Sequence, residues 1–324
     1  MADRTVTVGA SGKMYTTPAL AVAGEADFQT GEDNIVFIID AGQYGDFGIS
    51  SSSVFTTSAS HKLKFQCATG VSHSLARSTG VRIVSGNNYM SCIEIYKPYC
   101  VIDGIGVSNS MPNEARGITM RSGANNCEIK NCLAYDCNSD GYYLAYGVQN
   151  NKSINCVSEN CNSGFYNYSG NTAYYYNCEA INCNTYGFFT PSWTTSIIKN
   201  SYAGGSTTAD FYGEANSTTT MTTCRSSDGT LSTSTVSLAN CGFTSYTDGS
   251  EDVHISSSSS LRDIGTDLSS DSVYAFSTDI LGNTRSGSWD IGAVEYIAAS
   301  GGPLVGDSAL VGGSVLCGQG NLIN

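Results

Sequence analysis

Between Asn131 and Lys199, short apolar runs alternate with polar bends at a nearly fixed interval. Asn131-Cys132-Leu133-Ala134-Tyr135-Asp136-Cys137-Asn138 opens one unit. Asn155-Cys156-Val157-Ser158-Glu159-Asn160-Cys161-Asn162 and Asn177-Cys178-Glu179-Ala180-Ile181-Asn182-Cys183-Asn184 open the next two. Each opening is followed by a glycine and two aromatics: Gly141-Tyr142-Tyr143, Gly164-Phe165-Tyr166 and Gly187-Phe188-Phe189. A fainter fourth unit begins at Asn200-Ser201-Tyr202-Ala203, with Asp210-Phe211-Tyr212-Gly213 in place of the glycine step. The offsets are 24, 22 and 23 residues. Within a unit, alternation such as Cys132 and Ala134 places small residues on one face of a strand. Asn and Gly then turn the chain.

A period in this range marks a solenoid. Units this short hold two or three strands and tight turns, not a helix with generous loops. The expected fold is therefore all-β: a single-stranded right-handed parallel β-helix over residues 1–296. Equivalent residues of successive coils then lie about 4.8 Å apart. Cys132, Cys156 and Cys178 form one inward ladder, Cys137, Cys161 and Cys183 a second, and Asn131, Asn155 and Asn177 an amide ladder. The same texture continues upstream in Val81–Val84, Cys92–Ile95, Cys100–Asp103, Gly117–Met120 and Asn126–Ile129. Downstream, Met221–Cys224 and Val236–Cys241 are expected to prolong the coils.

Composition narrows the reading. Thirty-six Gly against five Pro suit strands and tight turns, and only 13% of residues are charged. The outer surface must then be built largely from Ser, Thr, Asn, Gly and Tyr. A net charge of −13 argues against nucleic acid, whose phosphates need clustered Lys and Arg. No run of about 18 apolar residues exists, so no membrane span is expected. The opening Met1-Ala2-Asp3-Arg4-Thr5 lacks a basic stretch followed by an apolar run, so no signal peptide is expected either. The thirteen cysteines include pairs five apart that recur once per coil, unlike the paired knuckles of a zinc site. No metal or other cofactor is expected, and the thiols are read as buried, reduced, small hydrophobes. Disulfides between coils are the competing reading, since the coil spacing falls within bridging range.

Both ends resemble pectate-lyase-like β-helix proteins. Thr5-Val6-Thr7-Val8-Gly9 matches a first strand. Tyr15–Ala23 matches a short capping helix, with Thr17 as N-cap and Pro18 at the first helical position. Asn34–Tyr44 matches the strand and Gly-x-Tyr turn that follow. Near the other end, Asp279-Ile280-Leu281-Gly282-Asn283-Thr284-Arg285 and Trp289-Asp290-Ile291-Gly292-Ala293-Val294-Glu295-Tyr296 resemble an ending common in bacterial and phage β-helix proteins. The resemblance, over residues 5–296, implies the fold and says little of function. Asp290, Arg285 and Glu295 are expected to form a buried ion-pair and turn network that closes the last coil.

The histidines His61, His73 and His254 lack the Gly-His-Gly context of polygalacturonase-like hydrolases. Asp103, Glu128 and Asp136, with Arg116 or Arg121, are the nearest to a lyase-like acidic cluster. Scattered carboxylates are expected on an acidic solenoid, and no catalytic residue is assigned. Aromatics crowd three coils: Tyr143, Tyr146, Tyr166, Tyr168, Tyr175, Tyr186 and Trp193 form the candidate binding set. Such stripes suit sugar rings, which offer an apolar face and hydroxyls. The competing reading places alternate members in the core and the rest against sister subunits.

After Tyr296 the composition shifts to a Gly-rich tail, 297–324. An apolar pair followed by Gly recurs every six residues: Leu304-Val305, Leu310-Val311, Val315-Leu316, then Leu322-Ile323. A lone strand of this kind cannot bury its apolar pairs. These residues are read as assembly contacts, with a homotrimer as the natural partner arrangement. The tail resembles those of phage structural proteins. The expected function is thus a non-enzymatic protein of a tailed-phage virion: a capsid decoration, head fibre or short spike. It would be made in the host cytoplasm, contact other virion proteins of capsid or tail, and touch a host surface glycan. The alternative is a depolymerase, a lyase or glycoside hydrolase acting on a bacterial surface glycan.

Deleting residues 303–324 is expected to lower the oligomeric state, read as mass by light scattering. An unchanged mass would remove the hexads from the assembly interface.

Overall fold

The structure, a computed structural model, describes residues 3–25, 34–50, 55–71, 73–88, 90–168, 170–231 and 234–298. The eight assembly candidates from Leu304 to Ile323 lie outside them. The described chain winds into a right-handed parallel β-helix with three parallel sheets of nine, eight and seven strands. Each regular coil contributes one strand to each, in that order. The coil opened by Glu128–Lys130 continues through Leu133–Tyr135 and Asp140–Leu144. The next runs through Gln149–Ile154, Val157–Glu159 and Ser163–Asn167. The third uses Thr172–Tyr176, Glu179–Ile181 and Tyr186–Thr190.

The Asn-Cys pairs are the corners of this coil. Asn131, Asn155, Asn177 and Asn200 have φ of 52°, 49°, 51° and 49°, and turn the chain from the nine-stranded into the eight-stranded sheet. Asp136, Asn160 and Asn182, with φ of 50°, 50° and 53°, make the next turn. Asn and Asp tolerate this left-handed conformation where other Cβ-bearing residues are strained. The cysteine after each bend points inward and is buried. Its thiol reaches back to the carbonyl two residues earlier: Cys132 to Lys130 at 3.1 Å, Cys156 to Ile154 at 3.4 Å, Cys178 to Tyr176 at 3.5 Å. Ser201 makes the same bond to Lys199 at 3.0 Å. A small side chain with one donor therefore fills the corner and adds a second hydrogen bond to a carbonyl that already accepts a backbone N–H from the preceding coil. The twelve described cysteines are free thiols. Burial raises those of Cys67 and Cys224 to about 11 and those of Cys92 and Cys241 to about 12.

The Gly-aromatic-aromatic step opens the strand of the seven-stranded sheet, just past the second bend. At Gly164 an added Cβ would lie 2.6 Å from the Gly187 carbonyl oxygen and 2.9 Å from Ala180 Cβ, so no side chain fits. The next residue points into the core and the third points out. Tyr142, Phe165, Phe188 and Phe211 accordingly form a stacked inner ladder, with centroids 4.7, 4.6 and 4.9 Å apart. The fainter fourth unit is the last of this sheet. There Asp210 replaces the glycine, and its carboxylate accepts from the N–H groups of Ser227 and Asp228 at 2.7 and 3.1 Å. In return, the Asp210 and Phe211 N–H groups donate to Asp228 Oδ2 and Thr230 Oγ1. The open sheet edge is closed by side chains.

At the N-terminus, helix Pro18–Gly24 forms as expected. Thr17 Oγ1 accepts from the Leu20 N–H at 3.2 Å, and Ala21 is buried against the first coils.

The C-terminal region departs from expectation. Val236–Cys241 does not prolong the coils: Leu238–Asn240 is a 3₁₀ turn, and a hairpin of Phe243–Ser245 with Asp252–Ile255 follows. Residues 236–296 form an arm on the outside of the solenoid. Val253, Ile255, Leu261, Ile280 and Ile291 cluster with Leu133, Val157 and Tyr202 of the eight-stranded sheet's outer face. Leu268 and Trp289 cluster with Ile154 and Tyr176 of the nine-stranded sheet. The expected network of Arg285, Asp290 and Glu295 exists, but it fastens the arm sideways and does not close a coil. Arg285 pairs with Glu295 at 3.0 Å and donates to the Gly292 and Ala293 carbonyls and to Asn155 Oδ1. The reason is the amide ladder. Asn155 bonds to Asn131 at 3.1 Å and Asn200 to Asn177 at 3.3 Å. The remaining amide capacity meets arm backbone: Asn155 to Thr278 O, Asn177 to Gly292 O, Asn200 to Thr266 O.

Two predictions follow from this packing. Gly164→Ala is expected to destabilise by about 1–3 kcal/mol through overpacking, seen as a lower Tm. Gly45→Ala, with nothing within 4 Å of the added carbon, is the neutral control, and equal Tm values for both would refute this packing argument. Glu179 is wholly buried on the eight-stranded sheet beneath Gly292, where the Ala293 backbone offsets only part of the burial. Burial raises its carboxyl from 4.5 to about 8. The unfolded chain ionises first, so this group's stabilising contribution is full below pH 4.5 and is lost as pH rises toward 8. Glu179→Gln is expected to flatten that part of the Tm-against-pH curve, a difference on the order of 1–4 kcal/mol. Parallel curves for parent and variant would sink this assignment.

Candidate functional site

The arm covers the outer face of the eight-stranded sheet and part of the nine-stranded one. The aromatic part of the seven-stranded sheet's outer face stays partly exposed, while Glu94 and Thr119 near its start are buried under Ser91, Tyr96 and Arg121. Its central outward row, in strand register, is Gly48, Glu94, Thr119, Tyr143, Tyr166, Phe189 and Tyr212. The last four are the third members of the Gly-aromatic-aromatic steps and their terminal equivalent. Stacking of coils turns them into one continuous aromatic surface. Tyr143 meets Tyr166 edge-on at 5.3 Å, and Tyr166 meets Phe189 at 4.8 Å. Phe189 meets Tyr212 at 5.7 Å. Tyr168 lies 5.9 Å from Tyr166 on one flank, and Tyr186 stacks on Tyr212 at 4.8 Å on the other. The rings are half-buried or exposed. The phenol oxygens of Tyr143, Tyr166, Tyr168, Tyr186 and Tyr212 have no hydrogen-bond partner among the described residues and are available to a ligand.

Charge gathers at the two ends of the row. The Arg116 guanidinium lies 4.0 Å above the Tyr143 ring and bonds to Asp140 and Glu114, each at 3.1 Å. Arg121 bonds to Glu94 at 2.7 Å, and Tyr96 donates to the same carboxylate at 3.1 Å. Burial pushes Glu94 upward, but the Arg121 contact outweighs it and the carboxyl ends below its ordinary value. Asp140 goes the other way: burial dominates over Arg116 and raises it. At the far end, Glu214 accepts from the N–H and hydroxyl of Ser192 at 3.0 and 2.9 Å.

Of the seven residues expected to bind, Tyr143, Tyr166, Tyr168 and Tyr186 come together in this surface. Tyr175 does not: it points into the core, 3% exposed, with its ring against Phe165 and Phe188. Its position was legible, because residues two before each bend, such as Ile129 and Ile198, face inward. Tyr146 and Trp193 sit at the following corner, 68% and 72% exposed, outside the ring-to-ring network. Phe189, Tyr212, Arg116 and Glu214 were not among the binding candidates. The third place in the repeated step is the signal that identifies the first two.

The acidic set considered from sequence is dispersed. Asp103 and Glu128 lie on the outer face of the nine-stranded sheet, paired with Lys130 at 3.1 Å and Lys62 at 2.7 Å, in a groove of about 440 Å³. Asp136 sits at a corner and pairs with Arg77 at 2.9 Å. Arg116 and Arg121 are on the seven-stranded sheet. His73 is buried, with Nε2 2.8 Å from the Asn131 carbonyl and Nδ1 accepting from the Leu75 N–H. Among the described residues no group of three or more His, Cys, Asp or Glu is arranged to hold a metal ion.

No family model matches the sequence, and no curated protein matches it. Solved structures do match, at low similarity. A pectin methylesterase from Aspergillus niger in deglycosylated form is 12% identical, with TM-score 0.42, covering 72% of this chain and 89% of that one. Pectate lyase Pel9A is 11% identical, with TM-score 0.39, covering 91% of this chain and 96% of that one.

Proposed function

We propose that the protein is a glycan-binding β-solenoid, and that a saccharide lies along the aromatic face of the seven-stranded sheet. The observation that carries this is the pairing of ring surface with phenol hydroxyls on a face the arm leaves open. A dry contact with a sister subunit would bury those hydroxyls without partners, each at a cost of about 1–3 kcal/mol. A sugar supplies apolar C–H faces to the rings and hydroxyls to the phenols at once. The ring surface lies parallel to the stacking direction, so it suits a chain of sugars more than a single residue.

The virion role belongs to the same proposal. A stiff solenoid that presents a ligand face and is fixed through its C-terminal hexads fits a decoration, fibre or spike, with a homotrimer as the assembly. That part rests on the tail sequence alone. A depolymerase acting on the same surface glycan is the second reading, and product analysis separates the two. New reducing ends or unsaturated uronates would mean turnover.

Glycan-array and capsule-binding measurements test the proposal. Tyr166→Ala and Phe189→Ala are each expected to weaken binding about tenfold, the loss typical of an anchoring aromatic, with little change in Tm. Phe165→Ala, one residue earlier and facing inward, is expected to lower stability by about 3–5 kcal/mol. Unchanged binding in both outward variants would refute the assignment of this face.

A further inference from the structure

We infer that the aromatic face selects uncharged sugars over acidic ones, with Glu214 as the specificity-determining carboxylate. This rests on the glycan-binding reading above and names the class of glycan.

The charges that border the row are two guanidiniums and four carboxylates. Both guanidiniums are already engaged. Arg116 holds Asp140 and Glu114, and Arg121 holds Glu94. A uronate, sialate or phosphate arriving at that end would have to displace a carboxylate from its partner to gain a cation. At the other end, Glu214 stands two residues past Tyr212, just beyond the strand's end, and has no cationic partner among the described residues. Ser192 satisfies Oε2 through two donors and leaves Oε1 to accept from a ligand. Burial is the main cause that raises the Tyr166 and Tyr186 phenols, and Glu214 adds the smallest part to each. The chain as a whole carries a net −13, so longer-range attraction toward an anionic polymer is also lacking. An uncharged sugar meets none of this opposition. Its hydroxyls can donate to Glu214, accept from the phenols, and leave the ion pairs intact.

The test is an array that presents neutral glycans beside uronate-, sialate- and phosphate-bearing ones, read at low and high salt, for the full chain and for Glu214→Gln. Neutral glycans are expected to be the tightest binders of the parent, with affinity nearly independent of salt. Glu214→Gln should weaken neutral binding by about two- to tenfold and raise the acidic-to-neutral ratio, with Tm unchanged. Acidic glycans as the tightest parent ligands, with affinity falling as salt rises, would overturn the inference and leave the glycan-binding face standing. An unchanged acidic-to-neutral ratio in Glu214→Gln would overturn the role of Glu214. Binding of no glycan at all would overturn both this inference and the reading beneath it.

Discussion

A coil of about two dozen residues has room for three short strands only if its turns are nearly abrupt. Here two of the three turns rest on one residue each, held in the left-handed region. Asn or Asp bears that conformation at small cost, and the next side chain must then fit inside an acute corner. Cysteine does so and returns a weak hydrogen bond to the carbonyl two residues back. The strand that follows the second bend opens on a glycine, because the backbone of the next coil occupies the space a Cβ would need. Everything else in the solenoid follows from these corners. They fix which residue of each strand faces in, and they align equivalent residues from coil to coil.

Alignment creates ladders, and the ladders have uses beyond stacking. An amide row made only of Asn side chains could satisfy itself by bonding along the axis. In this chain the row is interrupted between Asn155 and Asn177, and the arm enters there through Arg285 and the carbonyls around Gly292. Arg285 is buried, so its charge must be matched, and Glu295 and several carbonyls do so. The arm therefore recognises the regular part of the structure by its regularity. Its apolar residues then cover the outer faces of two sheets. The face left open is decided by where the bends place the Asn ladder, one corner away from the seven-stranded sheet.

This explains what could be read from the sequence. The period, the Cys ladders and the capping helix were all local patterns repeated or bounded by strong signals, and the structure has them; the Asn row is there too, but its amides do not bond between Asn155 and Asn177. The inward position of Tyr175 among three consecutive tyrosines was also within reach, by counting back from Asn177. The arm was not. Val236–Cys241 alternates like the strands before it, yet no Asn-Cys bend recurs at the proper offset, and it packs on the outside of the solenoid, where the Tyr202 hydroxyl donates to the Val236 carbonyl. A surface that exists only after the coils have stacked cannot be seen in a window of sequence. For the same reason Arg285, Asp290 and Glu295 were legible as a network and not legible as a lateral clasp.

The aromatic face is the remaining consequence of the corners. Because the glycine step sends its next residue inward and the following one outward, a pair of adjacent aromatics is divided between two environments. Tyr142, Phe165, Phe188 and Phe211 fill the core, where ring stacking and burial stabilise the solenoid. Tyr143, Tyr166, Phe189 and Tyr212 gain much less from folding, since they remain partly in water. Their apolar area is nonetheless assembled into one strip by the inner ladder that holds the strands in register. A strip of this kind retains unspent burial, and its hydroxyls and bordering carboxylates restrict what can claim it. The core and the recognition surface are thus two outputs of one repeated three-residue step, and the residues that build the first position the second.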